Sequence, residues 1–397
     1  ASGVWSRLLE VSAPGVHAGA VRALREDPEW RACLERLGGL GAEAGADGAV
    51  RHRLSMYRTT LGPGRTVEVR PGSRWGMWQR FGPGDGLPVH TIMGLLRDRA
   101  DRIWLAADGA GLTCFDGAAA TTWTTADGLP HNSVRCLAED ADGVLWFGGG
   151  ALGSGAAVAR YDGETLEVLT AEDGVPGHAV SCLLMDRRGG VWLGTGDAGL
   201  SRFDGRGIAR FMPQEGLPPW QGRGGPSCLL QDRAGCIWVG SPCGGLSRYD
   251  GERFETFTTG DGLAGDAVLS LLECRAGGLW IGTMGGVSRY EDGRFTTLPA
   301  PNGLLHPGVL SLLEDSSGHL WLGTYGGGLC RFDGDCFTSY TTAQGLAENT
   351  VNCLAWDRAG RLWCGTEGGV SRYDGQRFDS WTCQDGLAHG SVNAASA

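Results

Sequence analysis

One tryptophan position recurs through most of this chain at near-constant spacing. Trp104, Trp146, Trp192, Trp238, Trp280, Trp321 and Trp363 are separated by 42, 46, 46, 42, 41 and 42 residues. Each sits in a similar phrase: DRIWLAA, then GVLWFGG, GVWLGTG, GCIWVGS, GGLWIGT, GHLWLGT and GRLWCGT. A period in this range means an array of small supersecondary units, because one unit of that size cannot bury its apolar face alone. Every unit reads alike. A turn such as DGLP opens it, an apolar run such as SVRCLAED follows, and a short turn leads to a second run around the tryptophan. A Gly-rich link then leads to a third run such as GLSRYDG, and RFETFTT closes the unit. These are four short strands, here A to D. Four-stranded units repeated at ~40–50 residues predict the blades of a β-propeller.

The conserved chemistry within the units is structural. Asp140, Asp186, Asp232, Asp315 and Asp357 each stand three residues before a glycine. Aspartate accepts backbone N–H groups there and glycine tolerates positive φ, which is the chemistry of a tight A–B hairpin. Asp162-Gly163, Asp204-Gly205, Asp250-Gly251, Asp333-Gly334 and Asp374-Gly375 read the same way between strands C and D. The tryptophan is large enough to wedge between neighbouring blades. Arg160, Arg202, Arg248, Arg289, Arg331 and Arg372 share one position on strand C, and a residue repeated in this way holds the ring together.

The repeated phrases V-x-C-L-x-x-D, G-x-L-W-x-G-T, G-G-L-S-R-Y-D-G and F-x-x-Y-T-x-x-D-G-L resemble the two-component regulator propeller repeat over about residues 77–390. That resemblance implies a bacterial sensory or signalling input module that binds a small ligand or a protein partner and forms part of a larger regulatory polypeptide. It also implies an extracytoplasmic site. Thirteen scattered cysteines without C-x-x-C spacing argue instead for a reducing compartment such as the cytoplasm. The net charge of −11 speaks against nucleic acid. No run of ~18 apolar residues is present to insert into a membrane. No cofactor or metal site is expected, and neither is a catalytic set.

Seven clear repeats occupy residues 85–387 of a propeller domain at 51–397, and the termini offer a split eighth blade as the alternative. In it His52–Thr59, Arg65–Gly72 and Met77–Leu87 supply strands B, C and D, and Gly390–Ala397 begins strand A. Residues 1–50 read as a helical segment or connector. Asp27-Pro28 starts the helix, Gly38-Gly39 stops it, and Trp30, Cys33, Leu34 and Leu37 share one face.

Two insertions break the otherwise constant repeat length. From the opening Leu or Val to the tryptophan is 17 residues in six units, but Leu217 to Trp238 is 21, the excess lying in PPWQGRGG. From Trp146 to Val175 is 29 residues where the other units have 24 or 25, the excess lying in GGGALGSGAA. The first is a D–A link and the second a B–C link, so both reach the same face and flank the third blade. Loops on a rigid scaffold are where binding is commonly placed. The expected ligand-binding residues are therefore Trp220, Gln221 and Arg223 of the first insertion, with His131, His178 and Asp197 of the neighbouring links.

His90, His131, His178, His306 and His389 all follow the Gly-Leu or Gly-Val turn, without the short spacing of a metal site. GTGDAG at Gly194–Gly199 leads into a strand rather than a helix, so it is not a dinucleotide fingerprint. Cys136, Cys182, Cys228 and Cys353 share a strand-A position with Gly94, Ser270 and Ser311, which asks for small size rather than thiol chemistry. The alternative function is a propeller lyase or hydrolase, with His131 or His178 and Asp197 or Glu367 at the channel mouth. A further alternative is a structural scaffold.

Overall fold

The computed structural model describes residues 42–44, 50–52, 57–68, 74–75, 78–79, 92–116, 119–151, 155–196, 199–211, 216–218, 225–298, 304–357, 360–382 and 391–393. The chain divides into two units, Ala1–Arg53 and Leu54–Ala397. In the first, Ala42–Ala44 pairs antiparallel with Val50–His52; the helix expected near Asp27–Leu37 lies outside the described residues. The second is a seven-bladed all-β propeller whose four-stranded antiparallel blades follow chain order from A to D.

Strand A begins at Ile92, Val134, Val180, Cys228, Val268, Val309 and Val351 in blades 1 to 7. A β-bulge follows its first residue in six of them. Apolar clusters join successive blades: Val144 and Trp146 with Val191 and Leu193, for example, or Trp321 and Leu329 with Leu362 and Cys364. Each tryptophan lies on strand B. Trp192 stacks on Phe211 of its own blade at 5.2 Å and meets the edge of Tyr249 in the next at 5.5 Å. Trp104 and Trp238 repeat this arrangement, and Trp321 stacks on Tyr340 with Tyr373 of the next blade tilted against it. Six of the seven tryptophans are buried; Trp363 is half-buried.

The A–B aspartate does more than turn the chain. In six blades Asp98, Asp140, Asp186, Asp232, Asp315 and Asp357 also accept a hydrogen bond from the tryptophan indole Nε1, at 2.8–3.2 Å. The strand-C arginine lies over the same indole at 5.7–5.9 Å in blades 2 to 7. In blade 1 Cys114 takes that strand-C position opposite Trp104. Arg102 supplies the cation there instead, at 5.4 Å. Tryptophan, aspartate and arginine thus form one unit, a buried indole held by a carboxylate edge-on and a guanidinium face-on. Burial alone would raise the Asp186 pKa. Hydrogen bonds from Arg202, the Gly190 N–H and the Trp192 indole overcome this and hold it below the usual carboxylate range.

The small strand-A residue has an equally physical reason. A Cβ on strand-B Gly194, Gly240, Gly282 or Gly323 would stand 2.2–2.5 Å from Cys182 Sγ, Cys228 Sγ, Ser270 Oγ or Ser311 Oγ. Blade 1 exchanges the two sizes, with Gly94 on strand A facing Ala106 on strand B. One side chain fits between these strands, and either strand can supply it.

The N-terminal strands differ from the eighth-blade expectation. Tyr57–Thr60 pairs antiparallel with strand D of blade 2, and Arg65–Glu68 with strand D of blade 1. They are fifth, outermost strands of two blades rather than strands B and C of an eighth. Arg74–Trp75 pairs with Trp78–Gln79. The sequence could not separate these outcomes, because any exposed edge offers the same row of backbone groups and the same two-residue period. At the other end Val392 packs on Gly365 as Val309 packs on Gly282 and Val351 on Gly323. Val392 N–H donates to Thr366 O at 2.8 Å, so Ser391–Asn393 does resemble the start of a strand A.

Candidate functional site

The two faces of the ring are built differently. On the A–B/C–D face, polar groups are spent between blades. The backbone N–H groups of Arg99, Arg187, Arg233 and Arg275 donate to Glu139, Gln231, Glu273 and Glu314 at the end of the next blade's strand A. The guanidinium groups of Arg99, Arg187 and Arg233 donate to the backbone carbonyls of Ala141, Arg233 and Arg275 in the next turn. This is a girdle, and its cations already have partners.

The D–A/B–C face begins with a repeated 3-10 turn. Thr124, Thr170, Thr258 and Thr341 cap it reciprocally with Asp127, Asp173, Asp261 and Gln344. The aspartates of the Asp-Gly-Leu and Asp-Gly-Val signatures are therefore held as helix caps. Three residues after the Leu, Asn132, Asp266 and Asn349 accept the backbone N–H of Thr125, Thr259 and Thr342 at 2.7–2.9 Å. His178 occupies this bracing position in blade 3 and is exposed. His131 occupies the preceding position in blade 2, where burial lowers its pKa.

Of the expected site residues, His131 and His178 are thus on this face. Asp197, Trp220, Gln221 and Arg223 lie outside the described residues. The described part of the blade 2 insertion belongs to the hairpin itself. Strands B and C lengthen into Leu145–Ala151 and Gly155–Tyr161, pairing as far as Ala151 with Gly155. The lengthened hairpin packs on the His178 link so closely that a Cβ on Gly150 would stand 2.3 Å from His178 O. Glu367, the other carboxylate of the lyase alternative, stands on the B–C link of blade 7. Among the described residues no group of three His, Cys, Asp or Glu is arranged to hold a metal ion.

Sequence reasoning missed the apolar part of this face. Among the described residues the exposed large hydrophobics are Met93, Met284, Leu305 and Tyr325. Met93 is the second residue of strand A in blade 1, at the D–A end. Met284 and Tyr325 are on the B–C links of blades 5 and 6, and Leu305 is on the D–A link entering blade 6. A signal was available. The residue just after the strand-B Thr, Ser or Ala is Asp108 in blade 1 and Gly196, Pro242, Met284, Tyr325 and Glu367 in blades 3 to 7.

The four inner cysteines form no site. Cys136 and Cys353 point their thiols at the carbonyls of Val180 and Val392, and Cys182 at that of Pro226. Burial pushes the Cys182 and Cys228 thiols up to about 12 and Cys353 up to about 11.

The family profile described as two component regulator propeller matches residues 128–151, 174–197, 303–326 and 345–368. No curated protein sequence matches the chain. Among solved structures, the extracellular domain of a protein described as a hybrid two component system of B. thetaiotaomicron is 17% identical, with a TM-score of 0.48. The match covers 88% of this chain and 52% of that one, so this chain spans about half its length. A virginiamycin B lyase from Staphylococcus aureus is 13% identical over 82% of this chain and 99% of that one, with a TM-score of 0.51. A streptogramin B lyase is 13% identical over 82% and 98%, with a TM-score of 0.53. At these identities the lyases share the propeller fold. The chain is thus a seven-bladed β-propeller in which blades 2, 3, 6 and 7 each carry a match to the two component regulator propeller repeat.

Proposed function

We propose that this propeller is the input module of a regulatory protein and binds a ligand or partner protein on its D–A/B–C face without transforming it. One observation carries the reading. On the opposite face Arg99, Arg187 and Arg233 tie blades together through backbone and guanidinium N–H groups, while all four exposed large apolar side chains among the described residues stand at the D–A/B–C end. Exposed apolar side chains gathered on one face of a rigid scaffold mark a surface that is covered in use. His131 and His178 belong to that face, and Asp197, Trp220, Gln221 and Arg223 are proposed to extend it beside blade 3.

The test is a melting-temperature screen against sugars, amino acids, nucleosides, amphiphilic amines and short peptides, followed by mass spectrometry of each recovered hit. The expected result is a compound that raises the melting temperature, is recovered unchanged, and loses its effect in Tyr325→Ala or His178→Ala but keeps it in Arg188→Glu. Recovery of an eliminated or hydrolysed product would favour a lyase or hydrolase.

A further inference from the structure

We propose that the D–A/B–C face of blades 5 to 7 docks an extended peptide segment of a partner protein, one that places an apolar or aromatic side chain beside a cationic one. This rests on the face assignment above and narrows it to a sector and a chemistry.

The first support is a position whose backbone is fixed and whose side chain is not. Met284, Tyr325 and Glu367 each donate their backbone N–H to the residue just before strand A, namely Ala267, Gly308 and Thr350, at 2.9, 2.9 and 3.1 Å. The threonine before each is locked too. Thr283, Thr324 and Thr366 donate their hydroxyls to the carbonyls of Gly286, Gly328 and Gly369 at 2.7–2.9 Å. A scaffold role would repeat the residue, as it repeats the threonine. Here methionine, tyrosine and glutamate stand at equivalent points of three consecutive blades.

The second support is a platform. His306 meets the Tyr325 ring edge-on at 5.7 Å, and its Nδ1 accepts the Gly308 N–H at 3.0 Å. The histidine is seated so tightly that a Cβ on Gly327 would stand 2.7 Å from its backbone N and Cβ. The imidazole and phenol are therefore held in place before any ligand arrives, which lowers the entropic cost of binding. Leu305 extends the platform at 62% exposure, with Tyr325 at 51% and Met284 at 43%.

Charge supplies the third support. Glu367 is exposed, and Glu348 lies against Gly368 of the same blade while accepting the Thr350 N–H. The described D–A and B–C links contain no arginine, and the chain has no lysine. An apolar-aromatic area on blades 5 and 6 is thus followed by carboxylates on blade 7, which is complementary to an apolar group next to a cation. The exposure of the platform selects the occupant. A small ligand needs a concavity that buries ~70–90% of its surface, whereas a peptide can lie across an open one.

A random peptide library displayed on phage, panned against the propeller, tests this. Enriched sequences should carry net positive charge with an adjacent apolar or aromatic residue. A synthetic peptide of the enriched sequence should bind about ten-fold more weakly to Tyr325→Ala/Leu305→Ser and to Glu367→Arg, a loss of ~1.4 kcal/mol each. It should bind unchanged to Arg188→Glu, on the opposite face. Affinity should also fall with added salt. All these side chains are exposed, so melting temperatures should stay constant; if the double variant melts early, Glu367→Arg decides. Enrichment of acidic or uncharged peptides, or no enrichment, would overturn the proposal. So would sensitivity to His178→Ala alone, although that leaves the D–A/B–C reading standing; sensitivity to Arg188→Glu alone overturns both.

Discussion

At the scale of single residues, the propeller is a set of seven nearly identical tryptophan sites, and the exceptions show what each part contributes. In blade 5 Cys274 takes the place of the aspartate. Its turn keeps one backbone bond, Cys274 N–H to Gly278 O at 3.0 Å as Asp186 N–H to Gly190 O at 2.8 Å, but Gly278 takes a φ of 85°. An aspartate at this position would restore the acceptor that the Trp280 indole lacks relative to the other blades. Cys274→Asp should stabilise the protein by ~0.5–2 kcal/mol, in the range of consensus substitutions, read by chemical denaturation. Trp280→Ala should cost ~3–5 kcal/mol, as large-to-small core changes do.

The same carboxylates set the response to acid. Asp98, Asp186 and Asp315 have folded pKa values lowered from 3.8 because their indole, arginine, histidine or backbone hydrogen bonds outweigh burial. A lowered folded pKa stabilises above the unfolded value and is lost as pH falls through the folded one. Stability should therefore hold down to about pH 4 and drop below it. Asp186→Asn should be less stable at neutral pH but show a shallower acid loss, measured by urea unfolding across that window.

At the scale of elements, the N-terminal strands give the outer edges of blades 1 and 2 a cover. Arg58 pairs with Glu167 at 2.7 Å, Thr66 shares a hydroxyl hydrogen bond with Thr121, and Trp123 Nε1 donates to Gly62 O at 3.1 Å. Removing residues through Glu68 should raise amide exchange in strands Ala119–Trp123 and Thr165–Leu169 and leave the strands of blades 4 to 6 unchanged. Exchange rising instead in blade 7 would mean that these residues complete an eighth blade. Thiols sort by element as well. Of the eleven described cysteines, all of them unpaired, only Cys243 and Cys336 are exposed. Cys243 should react fastest with a thiol reagent in the native state. Cys336 should lag because its hydrogen bond to Asp333 and the nearby negative charge raise its pKa, and the inner Cys182 and Cys228 should react last.

At the scale of the whole molecule, chemistry is divided between the two ends of the ring. The A–B/C–D end carries the inter-blade girdle, so substitutions of the girdle residues should lower stability. Arg233→Ala removes a guanidinium bond to the Arg275 carbonyl and should cost on the order of 1 kcal/mol, read as a melting shift. The D–A/B–C end, where the caps are internal to each link, leaves side chains such as Tyr325 and Glu367 free to differ without cost to the scaffold. Changes to these residues should alter binding and leave the melting temperature alone.

The seven repeats, the strand order within a blade and the hairpin chemistry were legible in the chain because they depend on local period and turn residues, whereas the alternative of a split eighth blade was decided only by the strand pairing. Trp192, Asp186 and Gly189 could each be assigned a place from spacing alone. The small strand-A position was also legible as a packing demand, although the facing glycine that imposes it became visible only in the register of Cys182 against Gly194. Two matters were decided by tertiary structure. Tyr57–Thr60 and Arg65–Glu68 are strands by pattern, but which edge a strand joins depends on backbone groups that carry no side-chain signature. The exposure of Met284, Leu305 and Tyr325 was equally hidden. An apolar residue in a link reads the same whether it folds inward or stands in water, and only the packed ring shows which side of it is left uncovered.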